Sequence, residues 1–330
     1  MSRSRLNHAL DTGALALPTE GRIVVFGLPG DAELPDIAPE RIEVVQPFFP
    51  DRATLTARGV RCVAAPEGRY AAAVVTLPRA RERAMTWIAE AAAATDGPVV
   101  VDGARTDGAD AMLKACRARA TVAPPVAKAH GKVFLFDADA TAFADWHRGP
   151  AALPSGWITA PGVFSADGPD PASEALAAAL PAIPGQTVAD LGGGWGYLAR
   201  RMLDRSPDIA ALHVVEADAV ALDCARRNVT DPRAAFHWAD ATTWRPPAGL
   251  DAVVMNPPFH AGRQPDQALG RAFIAAAAGM LAPTGALWLV ANRHLPYETT
   301  LAERFRDVSE AGGDTRFKIL HAARPCRAAA

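Results

Sequence analysis

The chain has 330 residues, half of them apolar, with 34 Lys and Arg against 36 Asp and Glu for a net charge of −2. This length favours two domains of ordinary size, and the charge balance excludes a global basic field, so contact with nucleic acid must use local patches. Four scattered cysteines (Cys62, Cys116, Cys224, Cys326) with no Cys-x-x-Cys pair argue against a zinc site, and no apolar run of about 18 residues exists to span a membrane.

The basic start, Met1 to Arg5, is interrupted by Asn7, His8 and Asp11 and does not read as a signal peptide; with reduced thiols, a cytoplasmic address is expected. Strand-like runs follow at Arg22 to Phe26, Glu43 to Val45, Arg61 to Ala64, Ala71 to Leu77, Pro98 to Val101 and Lys132 to Phe136, with helical patterns at Arg81 to Ala94 and Ala109 to Arg119. This alternation predicts an α/β sheet. The turn after the first strand, Gly27-Leu-Pro-Gly30, lacks the close glycine spacing that lets a backbone approach a cofactor. Arg79, Arg81 and Arg83 have two readings, RNA contacts or a solvated helix face, and the second is the commoner origin of such a run.

Arg148 to Gly156 carries two prolines and two glycines and reads as the linker. The expected division is a first domain at 1–150, a linker at 151–161 and a second domain at 162–330. In the second domain Asp170-Pro171 caps a helix from about Ala172 to Leu180. A short strand, Thr187 to Leu191, then runs into Gly192-Gly-Gly194-Trp-Gly196 and a helix from Tyr197. Glycines 192, 194 and 196 let the backbone meet a ligand at that helix's amino end. A dinucleotide fingerprint would want a third glycine or alanine where Tyr197 stands. The G-x-G-x-G spacing after Asp190 instead fits S-adenosylmethionine, with Asp190 near the methionine ammonium. The next strand, Ala211 to Glu216, ends in an acid about 20 residues beyond the glycines, where a carboxylate accepts from ribose hydroxyls. After the strand Ala234 to Trp238, Asp240 can accept from an adenine amino group and Ala241 offers a backbone N–H.

A fourth strand, Ala252 to Met255, stops at Asn256-Pro257-Pro258-Phe259. Each proline lacks an N–H and restricts the residue before it, so the turn is stiff. It presents the Asn256 amide and adjacent carbonyls to a planar NH2 group, with the Phe259 ring beside the heterocycle. All these groups fall at the carboxyl ends of strands, where open α/β sheets bind ligands. His260 and Arg263 follow and could meet a phosphate; loop packing explains His260 equally well. The tail adds a helix at Gln267 to Met280, a strand at Gly285 to Val290, a helix at Tyr297 to Phe305 and a final strand at Thr315 to Ala322 that suits an antiparallel edge.

The halves repeat. Ala73-Val-Val-Thr-Leu77-Pro78 matches Ala252-Val-Val-Met-Asn256-Pro257, each followed by an alanine-rich helix and an apolar strand. An internal duplication is expected, its first copy degenerate, with Leu77 where Asn256 stands.

Gly162-Val-Phe-Ser165, Asp190 to Gly196, Asn256-Pro-Pro-Phe-His260-Ala-Gly262, Ala291-Asn-Arg-His-Leu-Pro-Tyr297 and Arg316-Phe-Lys318 together resemble the bacterial ribosomal RNA guanine-N2 methyltransferases of the small-subunit methyltransferase C type. The resemblance runs from about Gly162 to Ala323 and is weak before Pro150. It implies two tandem Rossmann-like class I methyltransferase domains and methyl transfer from S-adenosylmethionine to N2 of a guanine in 16S rRNA. It implies a small-subunit RNA partner and a catalytic turn of Asn256, Pro257, Pro258 and Phe259; from the scattered cysteines, no metal is expected. A monomer is the expected state. Two departures stand out: Gly193 where the family commonly has cysteine, and Asp170-Pro-Ala172-Ser173 where it has Asp-x-Gly-Ser or Asp-x-Gly-Thr. Methylation of 23S rRNA or tRNA, and a non-catalytic RNA-binding assembly factor, are the competing readings. Asn-Pro-Pro-aromatic turns also occur in glutamine-amide and adenine-N6 methyltransferases, against which Phe259 and the tandem design weigh.

Overall fold

The computed structural model of the chain describes residues 4–183, 186–258, 260–261, 264–265 and 267–326, with backbone alone at 260–261 and 264–265. The chain divides into two compact units, Met1–Gly149 and Pro150–Ala330.

In the first unit the chain order is α1 (Arg5–Asp11), β1 (Ile23–Phe26), β2 (Ile42–Val45), α2 (Phe49–Ala57), β3 (Arg61–Val63), β4 (Ala72–Thr76), α3 (Arg81–Ala94), β5 (Pro98–Ala104), α4 (Ala109–Arg117), β6 (Val126–Lys128), β7 (Gly131–Asp137) and α5 (Ala140–Phe143). The sheet order is β3-β2-β1-β4-β5-β7-β6, parallel except for β7, which runs antiparallel to both its neighbours, β5 and β6. Successive residues of these strands alternate between two apolar layers. Val24, Phe26, Val75 and Val101 face one, and Ile23, Val25, Val74 and Val100 face the other. A strand covered on both faces reads as a continuous apolar run, which is why it was legible.

The second unit begins with a small hairpin, β8 (Ala151–Ala152) and β9 (Ile158–Thr159). The segment expected as a linker, 151–161, is therefore structured, and Trp157 and Ala160 pack into this unit's core. There follow α6 (Pro171–Ala179), β10 (Thr187–Leu191), α7 (Tyr197–Arg205), β11 (Ala211–Glu216), α8 (Ala219–Asn228), β12 (Ala234–Trp238), β13 (Leu250–Met255), the short strands β14 (His260–Ala261) and β15 (Gln264–Pro265), α9 (Gln267–Met280), β16 (Leu281–Asn292), α10 (Tyr297–Arg304), β17 (Phe305–Gly313) and β18 (Phe317–Pro325). The main sheet runs β12-β11-β10-β13-β16-β18-β17.

The last strand is thus not the edge. β18 pairs antiparallel with both β16 and β17, and β17 takes the outer place. β17 escaped the sequence reading because it is mostly exposed and its sequence, Phe-Arg-Asp-Val-Ser-Glu-Ala-Gly-Gly, carries no apolar alternation. For the same reason β6, half-exposed at the other sheet's edge, was not foreseen.

Strand for strand, the two seven-stranded orders are the same. The repeat extends into the helices: α3 and α9 both have 14 residues, and their seventh residues, Trp87 and Phe273, are each followed by a buried isoleucine. The strand pairings also correct one expectation. Phe26 pairs with Val75 and Leu191 with Met255, so Thr76, not Leu77, occupies the place of Asn256. By the same register Val25 stands for Asp190 and Gln46 for Glu216. The first copy therefore has neither carboxylate. A Cβ on its turn glycine, Gly27, would lie 2.2 Å from the Trp87 ring, whereas one on Gly192 would stand 3.5 Å from Phe273. The Trp87 ring closes over the turn that stays open in the second copy.

Candidate active site

Four parallel strands of the second unit deliver the site. β10 ends in Asp190 and Leu191, and the chain turns through Gly192, Gly194 and Gly196 with φ of +72°, +55° and +90°. These left-handed conformations are those a glycine adopts without strain. Gly192 and Gly193 donate to the Val215 carbonyl at the end of β11, at 2.8 and 3.2 Å. Gly196 is the N-cap of α7, whose first-turn N–H groups lie over the strand end.

Asp190 is fully buried, and among the described residues neither carboxylate oxygen makes a hydrogen bond of good geometry, the Ala199 N–H being its nearest backbone donor. Burial pushes its pKa up to about 7; the Ala199 N–H in the first turn of α7 opposes the rise, and the Glu216 charge adds to it. A buried carboxyl with no partner is costly, so its place calls for a cation or donor. Glu216 is also raised by burial, against the backbone N–H groups of Asp218 and Gly194 that hold it. Its Oε2 accepts from Gly194 at 2.9 Å and its Oε1 from Asp218 at 2.7 Å. Each oxygen keeps a second lone pair for a ligand hydroxyl.

Beyond β12, Asp240 Oδ1 accepts from the Thr242 N–H at 2.8 Å and its hydroxyl at 2.7 Å, fixing the turn. Ala241 is 4% exposed, its side chain in the core.

At the end of β13, Pro257 is buried and Pro258 exposed. Asn256 donates through Nδ2 to Asp170 Oδ2 at 2.9 Å and to Ser173 Oγ at 2.8 Å. A carboxylate only accepts, so Asp170 decides the amide's orientation: the nitrogen faces Asp170 and Ser173, and the oxygen points away from them. Among the described residues the freed oxygen, Asn256 Oδ1, is buried without a partner. Asp170 Oδ2 also accepts from the Ser173 N–H at 2.9 Å as N-cap of α6. One carboxylate thus caps a helix and sets an amide.

A single pocket joins Asn256, Asp170 and Ser173 to the turn 192–195 and to Phe164 and Ser165. Glu216 reaches it through Gly194, while Asp240 and Ala241 line the neighbouring strand end. Sequence reasoning missed Asp170 and Ser173 as partners of Asn256, seeing only a helix cap. No spacing links positions 83 and 86 residues apart. In place of the family's glycine, Ala172 sits inside α6 at 1% exposure, and the cap geometry is intact. Phe259 and Arg263 lie outside the described residues, as does the His260 side chain. Among the described residues no group of three or more His, Cys, Asp or Glu could hold a metal ion, and no helix is long and apolar enough to cross a membrane.

Three features suit a polar cofactor here: a buried acid without a well-formed hydrogen bond, a carboxylate at the second strand end, and an open turn in which a Cβ on Gly194 would meet nothing within 4 Å. Fold and site together define a tandem pair of Rossmann-like methyltransferase domains, the second with its ligand turn intact. A family model described as the methyltransferase small domain matches residues 156–321, and the chain belongs to that family.

Among individual proteins, the chain is 33% identical over 168 residues to ribosomal RNA small subunit methyltransferase C of Hahella chejuensis, covering 51% of this chain and 49% of that one. It is 31% identical over 241 residues to ribosomal RNA large subunit methyltransferase G of Shewanella amazonensis, covering 68% and 62%. The chain therefore spans about half of the first relative's length and under two thirds of the second's. In fold it is similar to the Thermus thermophilus 16S rRNA N2 G1207 methyltransferase solved with AdoMet and guanosine, with a TM-score of 0.74 at 24% identity, covering 98% of this chain and 92% of that one.

Proposed function

We propose that this protein methylates the exocyclic N2 of a guanine in 16S ribosomal RNA, using S-adenosylmethionine. The observation that carries the reading is Asn256 Oδ1, a buried acceptor without a partner, in one pocket with the glycine turn. A guanine N2 amine has two N–H donors and a lone pair delocalised into the ring, which makes it a poor nucleophile. Asn256 Oδ1 accepts one of those N–H groups, and the Pro257 carbonyl, next along the stiff turn, accepts the other. This pair of acceptors favours a tetrahedral nitrogen with its lone pair localised, so the work is orientation and electrostatics. Asp170 and Ser173 act through Asn256 by keeping its oxygen toward the base.

When bound, S-adenosylmethionine supplies a methyl group on a sulfonium. Asp190 would hold the ammonium, Glu216 the ribose hydroxyls, Asp240 with the Ala241 N–H the adenine edge, and the 192–196 backbone the intervening chain. The alkylated nitrogen is acidic enough to shed its proton to water, which is consistent with a site whose acceptors are an amide and a carbonyl. Phe259, directly after the prolines, would stack on a base drawn out of its helix. The relatives support an RNA substrate through their names.

The 241-residue alignment favours one second reading, a large-subunit RNA substrate. Tritiated methyl transfer to separate small and large subunits lacking the modification, followed by nucleoside analysis, decides between them. N2-methylguanosine in the small subunit alone is the expected result; label in the large subunit moves the substrate; label in neither overturns the ribosomal-subunit reading and points to a tRNA or protein substrate.

A further inference from the structure

Single apolar side chains in water are ordinary at a protein surface, so one carries meaning only through its place. Among the described residues two large ones stand exposed, Phe48 at 43% exposure and Phe164 at 62%. Phe164 is distinguished by where it is and how firmly it is held. It lines the same pocket as Asn256 and the glycine turn. Its carbonyl accepts from Trp195 Nε1 at 3.0 Å, and Trp195 is itself buried against Trp157 and Tyr197, with ring centroids 5.2 and 5.9 Å away. The loop beyond it is pinned by Thr159 Oγ1 to the Ala166 carbonyl at 2.7 Å and by Ser165 Oγ to the Gly168 carbonyl at 2.8 Å. The backbone is therefore fixed while the ring is left uncovered at the pocket mouth.

We propose that Phe164 forms one wall of the nucleobase site, its ring stacking on the purine whose amino group meets Asn256 Oδ1. The proposal rests on the reading of this pocket as a guanine site. Two observations converge on a flat, amino-bearing ligand: an unpartnered buried acceptor for its edge and an uncovered aromatic face for its plane. An extruded base loses its stacking neighbours, and an aromatic side chain replaces them without regard to sequence.

The test compares Phe164→Ala and Phe164→Trp with the wild-type full chain, using small subunits lacking the modification as substrate and calorimetry for S-adenosylmethionine. With the ring in solvent, its removal should leave the melting temperature unchanged. The alanine variant should lose about tenfold in kcat/KM, mainly through KM for the subunit, with cofactor affinity within about twofold. The tryptophan variant should restore the wild-type value. Unchanged kcat/KM in the alanine variant overturns the assignment, and an equal loss of cofactor affinity overturns it in favour of a ring packed on the cofactor. A wild-type chain that binds cofactor yet forms no N2-methylguanosine overturns the functional reading and this assignment with it, whereas the two preceding results leave that reading standing.

Discussion

Asp170 Oδ2 and Asn256 Nδ2 lie 2.9 Å apart, although 86 residues separate them in the chain. The bond joins the amino end of α6 to the carboxyl end of β13 and, with the Ser173 bond, occupies the amide nitrogen while the oxygen stays free of it. Removing it should cost function more than stability. Asp170→Ala deletes an N-cap worth about 1 kcal/mol and frees the amide to rotate. The expected result is a melting temperature lowered by a few degrees, kcat down about tenfold or more, and cofactor affinity little changed. Asp170→Asn keeps an acceptor oxygen and should recover most of kcat. Loss of cofactor affinity in proportion to kcat would mean that Asp170 serves the cofactor instead.

With Asp190 holding the cofactor's ammonium, as proposed, stability and affinity should respond to pH in opposite directions. Its folded pKa of about 7 lies above the ordinary value of 3.8, so the free folded state holds a proton that the unfolded chain releases. That contribution is full below about pH 4 and is lost as pH rises through about 7, on the order of a few kcal/mol in all. Denaturant titrations of the free protein between pH 5 and 8 should show stability falling with pH. Asp190→Asn, which cannot ionise, should flatten this component and match or exceed the wild-type stability at pH 8. A cationic ligand draws the proton off, so wild-type affinity for S-adenosylmethionine should rise from pH 6 to 7.5, and Asp190→Asn should abolish that rise. An unchanged slope in the variant would remove Asp190 from the account.

Gly194 separates backbone strain from ligand space. Its φ of +55° costs a residue with a Cβ about 1 kcal/mol, and in the free protein that Cβ meets nothing within 4 Å. Gly194→Ala should therefore fold with a stability loss of about 1 kcal/mol while cofactor affinity falls at least tenfold. If only the stability changes, the turn does not face the ligand.

Much of this could be read from the sequence because buried parallel strands are continuous apolar runs and because Gly192 to Gly196 and Asn256 to Phe259 are local patterns. Edge strands were lost for the converse reason: β17, half in water, has no pattern to read. The duplication was visible, yet its register slipped by one residue, since runs of alanine and valine align equally well one step along; the hydrogen-bonded pairing of Phe26 with Val75 settles it on Thr76. The partners of Asn256 were not legible at all, because a contact made by the fold between α6 and β13 leaves no trace in local spacing.

The central claim is that Asn256 Oδ1 organises the reacting amine. Single-turnover methyl transfer to small subunits by Asn256→Ala, with cofactor affinity measured on the same preparation, tests it most directly. The expected rate is at least about a hundredfold below wild type, with cofactor affinity within a few fold. A variant that transfers methyl at a comparable rate would contradict it.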